Sequence, residues 1–285
     1  MTLDFRALAQ SFDLFKYPRT PHLEGSRLQD GDEGYEHVPY STLAGRYIVV
    51  EEKLDGANSG LSFSSGAELL LQSRGHYLVG GGRERQFNIL KAWARAHEDW
   101  LLARLEDRYV MYAENMQKKH SVFYDNLPHF IAEFDVLDKA TGDFLSTAAR
   151  AQLLAGGPVL SVPVLYAGIA PAKLSQLVAL LKRSLAKTEQ WRKRFEQTVA
   201  REQLNLETAW KQCDESDRAE GLYIKVEEGG KTVGRYKWVR SDFVQAIIDS
   251  EKHHSEQPYI PNLLAPGVDI YAPQLTHTWE TGNAE

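Results

Sequence analysis

Cysteine is all but missing from this 285-residue chain: Cys213 stands alone, which excludes an internal disulfide and a cysteine-rich zinc site. Long apolar runs are missing too. No stretch approaches the ~20 consecutive apolar residues of a membrane-spanning helix, and the opening Met1-Thr2-Leu3-Asp4 begins no signal peptide. A reduced, cytoplasmic protein without a membrane partner is therefore expected. Positive charge is not in excess. The net charge of −6 argues against a protein that coats nucleic acid indiscriminately, yet leaves room for a local basic groove. Repeats and low-complexity blocks are absent. The run Gly80-Gly81-Gly82 lacks the Gly-Lys-Ser/Thr ending of a P-loop, so it is read as flexible loop, with Arg83 and Arg85 beside it as RNA contacts.

What is present is ordinary globular material, 43% hydrophobic and 25% charged, enough to bury a core without a disulfide or metal staple. The first 46 residues look irregular after a short helical start at 5–15, with Lys16 and Arg19 in a Pro- and Gly-rich segment as candidate phosphate contacts. Alternation then predicts a strand at 46–53, a hairpin around Ser65-Gly66, and strands at 109–114, 130–138 and through Phe144. An amphipathic helix is expected over 87–105. Residues 147–217 have helical character, with Leu174, Leu177, Val178, Leu181 and Leu185 on one face. The segment 220–239 alternates on both sides of Gly229-Gly230 as a hairpin, and a short helix around 243–252 precedes a Pro-rich tail. Interspersed hairpins and helices favour an α+β fold on antiparallel sheets over a parallel, doubly wound one.

The chemistry lies in an ordered series of short segments. EKLDGAN spans 52–58, SRG 73–75, YAEN 112–115, EFDV 133–136, EGLYIK 220–225 and RYKW 235–238. Lys53 ends a strand before a turn that needs Gly56. A lysine attacks a phosphate only as a neutral amine, although its free pKa is about 10.4; burial and neighbouring cations such as Lys225, Arg235 and Lys237 would lower it. The same cations would neutralise phosphate charge in the transition state. Strand parity puts Arg235 and Lys237 on one face. Glu114 and Glu220 facing a triphosphate would repel it without a divalent cation, so Mg2+ (or Mn2+) is implied.

In this order the six motifs resemble the covalent nucleotidyltransferases, the superfamily of polynucleotide ligases and mRNA capping enzymes. They are most similar to the ATP-dependent RNA ligase 2-like family, over about 47–239. The resemblance implies a nucleotidyltransferase (ATP-grasp-like ligase) fold, with antiparallel sheets flanking the nucleotide cleft and a helical insert at 172–212. It assigns 1–240 to an adenylyltransferase domain and 241–285 to a short C-terminal extension. The activity it implies is ATP-dependent sealing of RNA 5′-phosphate and 3′-hydroxyl ends through a lysine–AMP adduct and an adenylylated RNA end. A separate polynucleotide kinase/phosphatase would be a natural companion.

By position, the resemblance makes Lys53 the nucleophile, with Lys237 and Glu220 assisting catalysis. Glu52 would set adenine recognition through its backbone, Phe134 would stack on the base, and Glu114 would hydrogen-bond the ribose. Arg74, Lys225 and Arg235 would meet phosphates, Asn58 would flank the nucleophile, and Glu114 and Glu220 would hold the metal. Asp55 is open between a turn role and a chemical one. Two departures stand out: Arg235 replaces a common lysine and cannot exchange a proton, and YAEN replaces a more usual Gly-Glu. Alternatives are a non-catalytic nucleotide- or RNA-binding relative, or a DNA ligase or capping-type enzyme. Those last two close their site with an extra OB-fold barrel, for which the flanking residues here are too few. Trp191-Arg192-Lys193-Arg194 is either an ordinary amphipathic helix or an RNA grip. Lys118-Lys119-His120 is either a solvated face or an RNA-backbone contact, and His253-His254 is read as solvated helix surface.

Overall fold

The computed structural model describes residues 12–28, 37–243 and 258–280; the expected helix at 243–252, most of the helical start at 5–15, and His253-His254 lie outside them. In chain order the elements are β1 (Tyr47–Lys53), β2 (Ala57–Phe63) and β3 (Leu69–Ser73), then helices α1 (Asn88–Ala96) and α2 (Glu98–Leu105). Strands β4 (Tyr109–Asn115), β5 (Ile131–Asp138) and β6 (Phe144–Leu145) precede helix α3 (Thr147–Leu153). Next come β7 (Leu160–Ser161), β8 (Val164–Ile169), and helices α4 (Leu174–Val178), α5 (Trp191–Arg201) and α6 (Leu206–Lys211). The hairpin β9 (Gly221–Glu228) and β10 (Lys231–Val239) closes the series.

The strands join in the order β3-β2-β4-β5-β6-β10-β9-β1-β8, and β7 attaches in parallel to β5. Every pairing along the main path is antiparallel, as the hairpin-rich sequence requires. Two-residue β6 is a narrow link between two four-stranded sections. Consecutive strands β1 and β2 fall in different sections, so residues 54–56 carry the chain from one to the other. Gly56 is needed in that crossing because a Cβ there would lie 2.6 Å from the Asn115 carbonyl oxygen.

Apolar faces fix each section. Leu90, Trp93 and Leu101 of α1 and α2 pack on Leu61, Phe63 and Met111. Ile48, Val50, Leu222 and Ile224 pack beneath Leu177. Several expectations change at this level. The single helix expected over 87–105 breaks at His97 (φ −115, ψ 17), where the acidic pair Glu98-Asp99 starts a second helix. The region 147–217 contains two strands, β7 and β8, beside Pro158 and Pro163. Strand β8 is an edge with little alternation, so tertiary pairing with β1 decides it. The helix expected to carry Leu174 through Leu185 stops at Val178, although Leu181 still packs on the same core.

Residues 16–28 run as loop, as expected; residues 12–15, expected to end a helix, carry none, and the whole segment 12–28 is anchored on both sections. The Tyr77 hydroxyl donates to Asp13 O at 2.7 Å, and Gln72 Nε2 and the Tyr112 hydroxyl donate to Phe15 O, both at 2.8 Å. Further on, Lys237 N donates to Pro21 O at 3.0 Å and Leu23 N to Lys237 O at 2.9 Å, extending the sheet alongside β10. The C-terminal stretch docks on the loop after β4, with Lys119 N to Ile260 O at 2.8 Å and Leu127 N to Leu263 O at 3.0 Å. Among the described residues no helix is long and apolar enough to cross a membrane.

Candidate active site

Between the two sections opens a cavity of about 900 Å³, within the size range of small-molecule sites. It collects residues from motifs far apart in the chain: Glu52, Lys53, Asn58, Arg74, Glu114, Phe134, Glu220 and Lys237 all line it. Lys53 is there because β1 ends where the chain crosses between sections. Its Nζ lies 2.7 Å from Glu220 Oε2, with the lysine side chain 22% exposed and the glutamate 2%. Glu220 precedes Gly221, whose Cβ would lie 2.0 Å from the Trp238 carbonyl oxygen, so only glycine lets β9 and β10 close up beside it.

Charge in the cavity is mixed, with three acids around the lysine. Burial alone would draw the Lys53 amine downward, but the charge and hydrogen bond of Glu220, then Glu114 and Asp55, hold it above its usual value. Glu114 is pushed up to about 8, first by burial, with Asp55 and Glu220 adding to it against Lys53 and a hydrogen bond from Gly56. That bond, from Gly56 N to Glu114 Oε1, is 2.8 Å. Asp55 is structural in its contacts: its Oδ2 accepts from the Ser121 and Val122 amides, both at 2.7 Å, and its own amide donates to the Tyr124 hydroxyl at 2.7 Å. Glu52 keeps its carboxylate on Ser184 Oγ (2.5 Å) and the Leu185 amide (3.2 Å), and burial pushes it up to about 7.

The donor set suits a hard divalent cation. Two cavity-facing carboxylates, Glu114 and Glu220, stand beside one ammonium. Among the described residues no group of three or more His, Cys, Asp or Glu side chains is arranged to hold an ion alone. An ion here would complete its shell with water and phosphate oxygens, as magnesium commonly does.

Lys225 and Arg235 are not brought into the cavity. One step along the hairpin from the facing pair Tyr223 and Lys237, they are taken up by carboxylates of neighbouring strands. Lys225 is fully buried, 3.0 Å from Glu51 and 3.5 Å from Asp135, and its Nζ also donates to the Phe134 carbonyl. The Arg235 guanidinium stacks 3.6 Å from the Phe144 ring centroid, with NH1 3.6 Å from Asp135 Oδ2. Lys225 thus lies against the Phe134 backbone and Arg235 against the Phe144 and Tyr17 rings. Trp191 is core, its ring packed on Phe195 and Trp210 and its Nε1 donating to Asp217 at 2.7 Å; Arg192 pairs with Asp217 and Arg194 with Asp125. The helix is an ordinary amphipathic one. In the glycine loop, the Gly80 and Val79 amides are taken up by Glu84.

Sequence reasoning did not single out several lining residues, among them Tyr17, Thr20, Gln86 and Tyr223. Tyr17 meets Phe134 edge-on at 5.0 Å, and its hydroxyl lies 2.6 Å from both Asp135 Oδ2 and the Tyr223 hydroxyl. Thr20 Oγ1 lies 2.9 Å from the same Tyr223 hydroxyl. Parity with Lys225 could have flagged Tyr223; nothing local marks Tyr17 in an irregular segment.

Antiparallel sections flanking a cavity with a lysine on its floor, carboxylates beside it and an aromatic wall define a nucleotidyltransferase fold. The RNA ligase family model matches residues 46–239, and the chain belongs to that family. Among solved structures, a lysine-to-alanine variant of the Naegleria gruberi RNA ligase with ATP and Mn is similar at TM-score 0.50 and 16% identity, covering 80% of this chain and 57% of that one. An aspartate-to-alanine variant of the same ligase, without ligand, also gives TM-score 0.50 and 16% identity, covering 80% and 56%. The chain therefore spans less than two thirds of the length of those relatives. No curated protein matches it by sequence.

Proposed function

We propose that the chain is an ATP-dependent RNA ligase that joins 5′-phosphate and 3′-hydroxyl RNA ends, with Lys53 as the nucleophile. The observation that carries this reading is the Lys53–Glu220 pair, 2.7 Å apart on the cavity floor, with Glu114, Phe134 and Lys237 around it. Complexes of the Naegleria relative with ATP and Mn support the choice of nucleotide and of a divalent cation. Such a cation would be held by Glu114 and Glu220 and would neutralise the carboxylates and the triphosphate together.

In the ligand-free protein Glu220 and its neighbours keep Lys53 as an ammonium, so the lysine is guarded until that pull is relieved and its proton is lost to solvent. The neutral Nζ then attacks the α-phosphorus of ATP; the N–P bond forms as the bond to pyrophosphate breaks. Phe134 supplies a face for adenine, and Lys237 and Arg74 meet phosphate oxygens. The RNA 5′-phosphate next displaces Lys53 from AMP, and a 3′-hydroxyl displaces AMP from the adenylylated end. RNA bearing those ends implies a separate kinase/phosphatase where breaks leave other termini. One unit of 1–240 with an insert at 172–212 and an extension at 241–285, in the cytoplasm with Cys213 reduced, completes the proposal.

Incubation with magnesium and α-labelled ATP checks it. Wild type should acquire a covalent AMP label that Lys53→Ala lacks entirely; a wild type that never labels refutes the ligase reading. Nicked duplexes then separate substrates: sealing should prefer an RNA 3′-hydroxyl strand, and equal sealing of all-DNA nicks would contradict the RNA assignment.

A further inference from the structure

One basic cluster outside the catalytic set borders the cavity. The 3-10 turn Gly82–Phe87 carries Arg85 and Gln86, and the segment after β4 carries Lys118 and His120. Gln86 and His120 line the cavity and hydrogen-bond each other, Gln86 Oε1 to His120 Nε2 at 3.2 Å. Immediately outside, the exposed Arg85 guanidinium stacks 4.4 Å above the Tyr259 ring. A guanidinium held over an aromatic face is positioned without losing its N–H donors, which remain available for a phosphate.

The cluster is built rather than loosely gathered. Gln117 ties three segments together: its Oε1 accepts from the Ile89 amide at 3.0 Å and its Nε2 donates to the Tyr259 hydroxyl at 2.5 Å. Asn115 Nδ2 donates to the Gln86 carbonyl at 2.6 Å, and the tail pairs with the loop at Lys118 and Pro261. Lys119 between them turns inward, donating to the His120 and Gln212 carbonyls, and Lys118 is itself buried, 8% exposed, so its charge acts on the surface from within. Nearby carboxylates are engaged elsewhere: Glu84 by Lys91, Asp55 by the Ser121 and Val122 amides, and Glu202 by Arg201. Burial, then the positive charges of Lys119 and Arg85, hold the Lys118 amine below its usual value, so like charges do converge here. In a chain of net charge −6, such a cluster is a local exception.

We propose that the exposed Arg85, on its Tyr259 platform and next to the buried charge of Lys118, binds the phosphodiester backbone of the RNA strand whose end enters the cavity. The assignment rests on reading the chain as an RNA ligase, and it names where that substrate leaves the site. Charge complementarity selects the partner: a strand phosphate meets the exposed Arg85 guanidinium, the buried Lys118 charge adds to the local positive field, and Tyr259 offers an aromatic edge beside it.

Arg85 does not line the cavity, so Arg85→Glu should label with ATP as wild type does. Its binding to a fluorescent nicked RNA duplex, read by anisotropy across a salt series, should weaken about tenfold, with a salt slope shallower by about one. Arg85→Lys, which keeps the charge but not the planar fork, should recover the salt slope and only part of the affinity. Unchanged RNA affinity and slope in Arg85→Glu overturn the proposal, as does competition for the site by polyglutamate but not by RNA. Should Arg85→Glu lower the melting temperature, Arg85→Gln decides through the slope alone. A wild type that binds RNA through Arg85 yet never labels with ATP would remove the ligase reading and leave this surface standing.

Discussion

Lys53 and Glu114 show how an acidic cavity sets its own protonation. Both are raised, but for opposite balances of the same forces: neighbouring carboxylates outweigh burial at the lysine, whereas burial leads at the glutamate. The consequence for stability has a definite sign. A carboxyl whose folded pKa is about 8 stabilises the fold fully below its unfolded value near 4.5, and loses that contribution as pH rises through 8. Glu114→Gln keeps an oxygen for the Gly56 amide and carries no charge, so its melting temperature relative to wild type should climb between pH 5 and pH 9 in the absence of ligand. A gain of 1 kcal/mol corresponds to about 2–4 °C in a protein of this size. Thermal melts across that range check it, and a difference that stays flat with pH would mean Glu114 is ionised throughout. The carboxylates and Lys53 were legible as residue types in order; that Asp55 is occupied by two backbone amides was not, because its partners lie 66 and 67 positions away.

Elements differ in how far their own sequence decides them. The β9–β10 hairpin was legible because Leu222, Ile224 and Val226 alternate before the Gly229-Gly230 turn, even though β9 is buried on both faces, with Lys225 on the other. Strand β8 and the segment 12–28 were not, since neither alternates and both are held by partners distant in the chain. The segment depends on Tyr17 at its centre. Tyr17→Phe keeps the ring against Phe134 but removes the hydroxyl between Asp135 and Tyr223, leaving buried Asp135 Oδ2 without that donor. An unsatisfied buried acceptor costs about 1–3 kcal/mol. The variant should melt several degrees lower than wild type, and an unchanged melting curve would show that the segment does not rely on this contact.

At the scale of the molecule, the two sheet sections are joined beneath the cavity by buried charge as well as by β6. Arg150 on α3 donates to Glu51 on β1 and to Glu133 on β5, each at 2.7 Å and each almost wholly buried. One guanidinium thus spans strands of both sections. Removing one partner of a buried ion pair costs about 3–5 kcal/mol because the other charge stays in a low-dielectric interior. Arg150→Met should therefore unfold at least 6 °C below wild type, by the same roughly 2–4 °C per kcal/mol. A melting temperature within 2 °C of wild type would mean the two carboxylates are accommodated without it. The amino-acid sequence by itself determined the antiparallel class and the order of the motifs around Lys53, because alternation, turn glycines and short motifs act within a few residues of one another. Only the tertiary structure decided which cations face the cavity: Lys237 does, while Lys225 and Arg235, equal to it by strand parity, are drawn off by Glu51, Asp135 and the Phe144 ring. Parity gives a side chain its face, but the charge packed against that face decides what it binds.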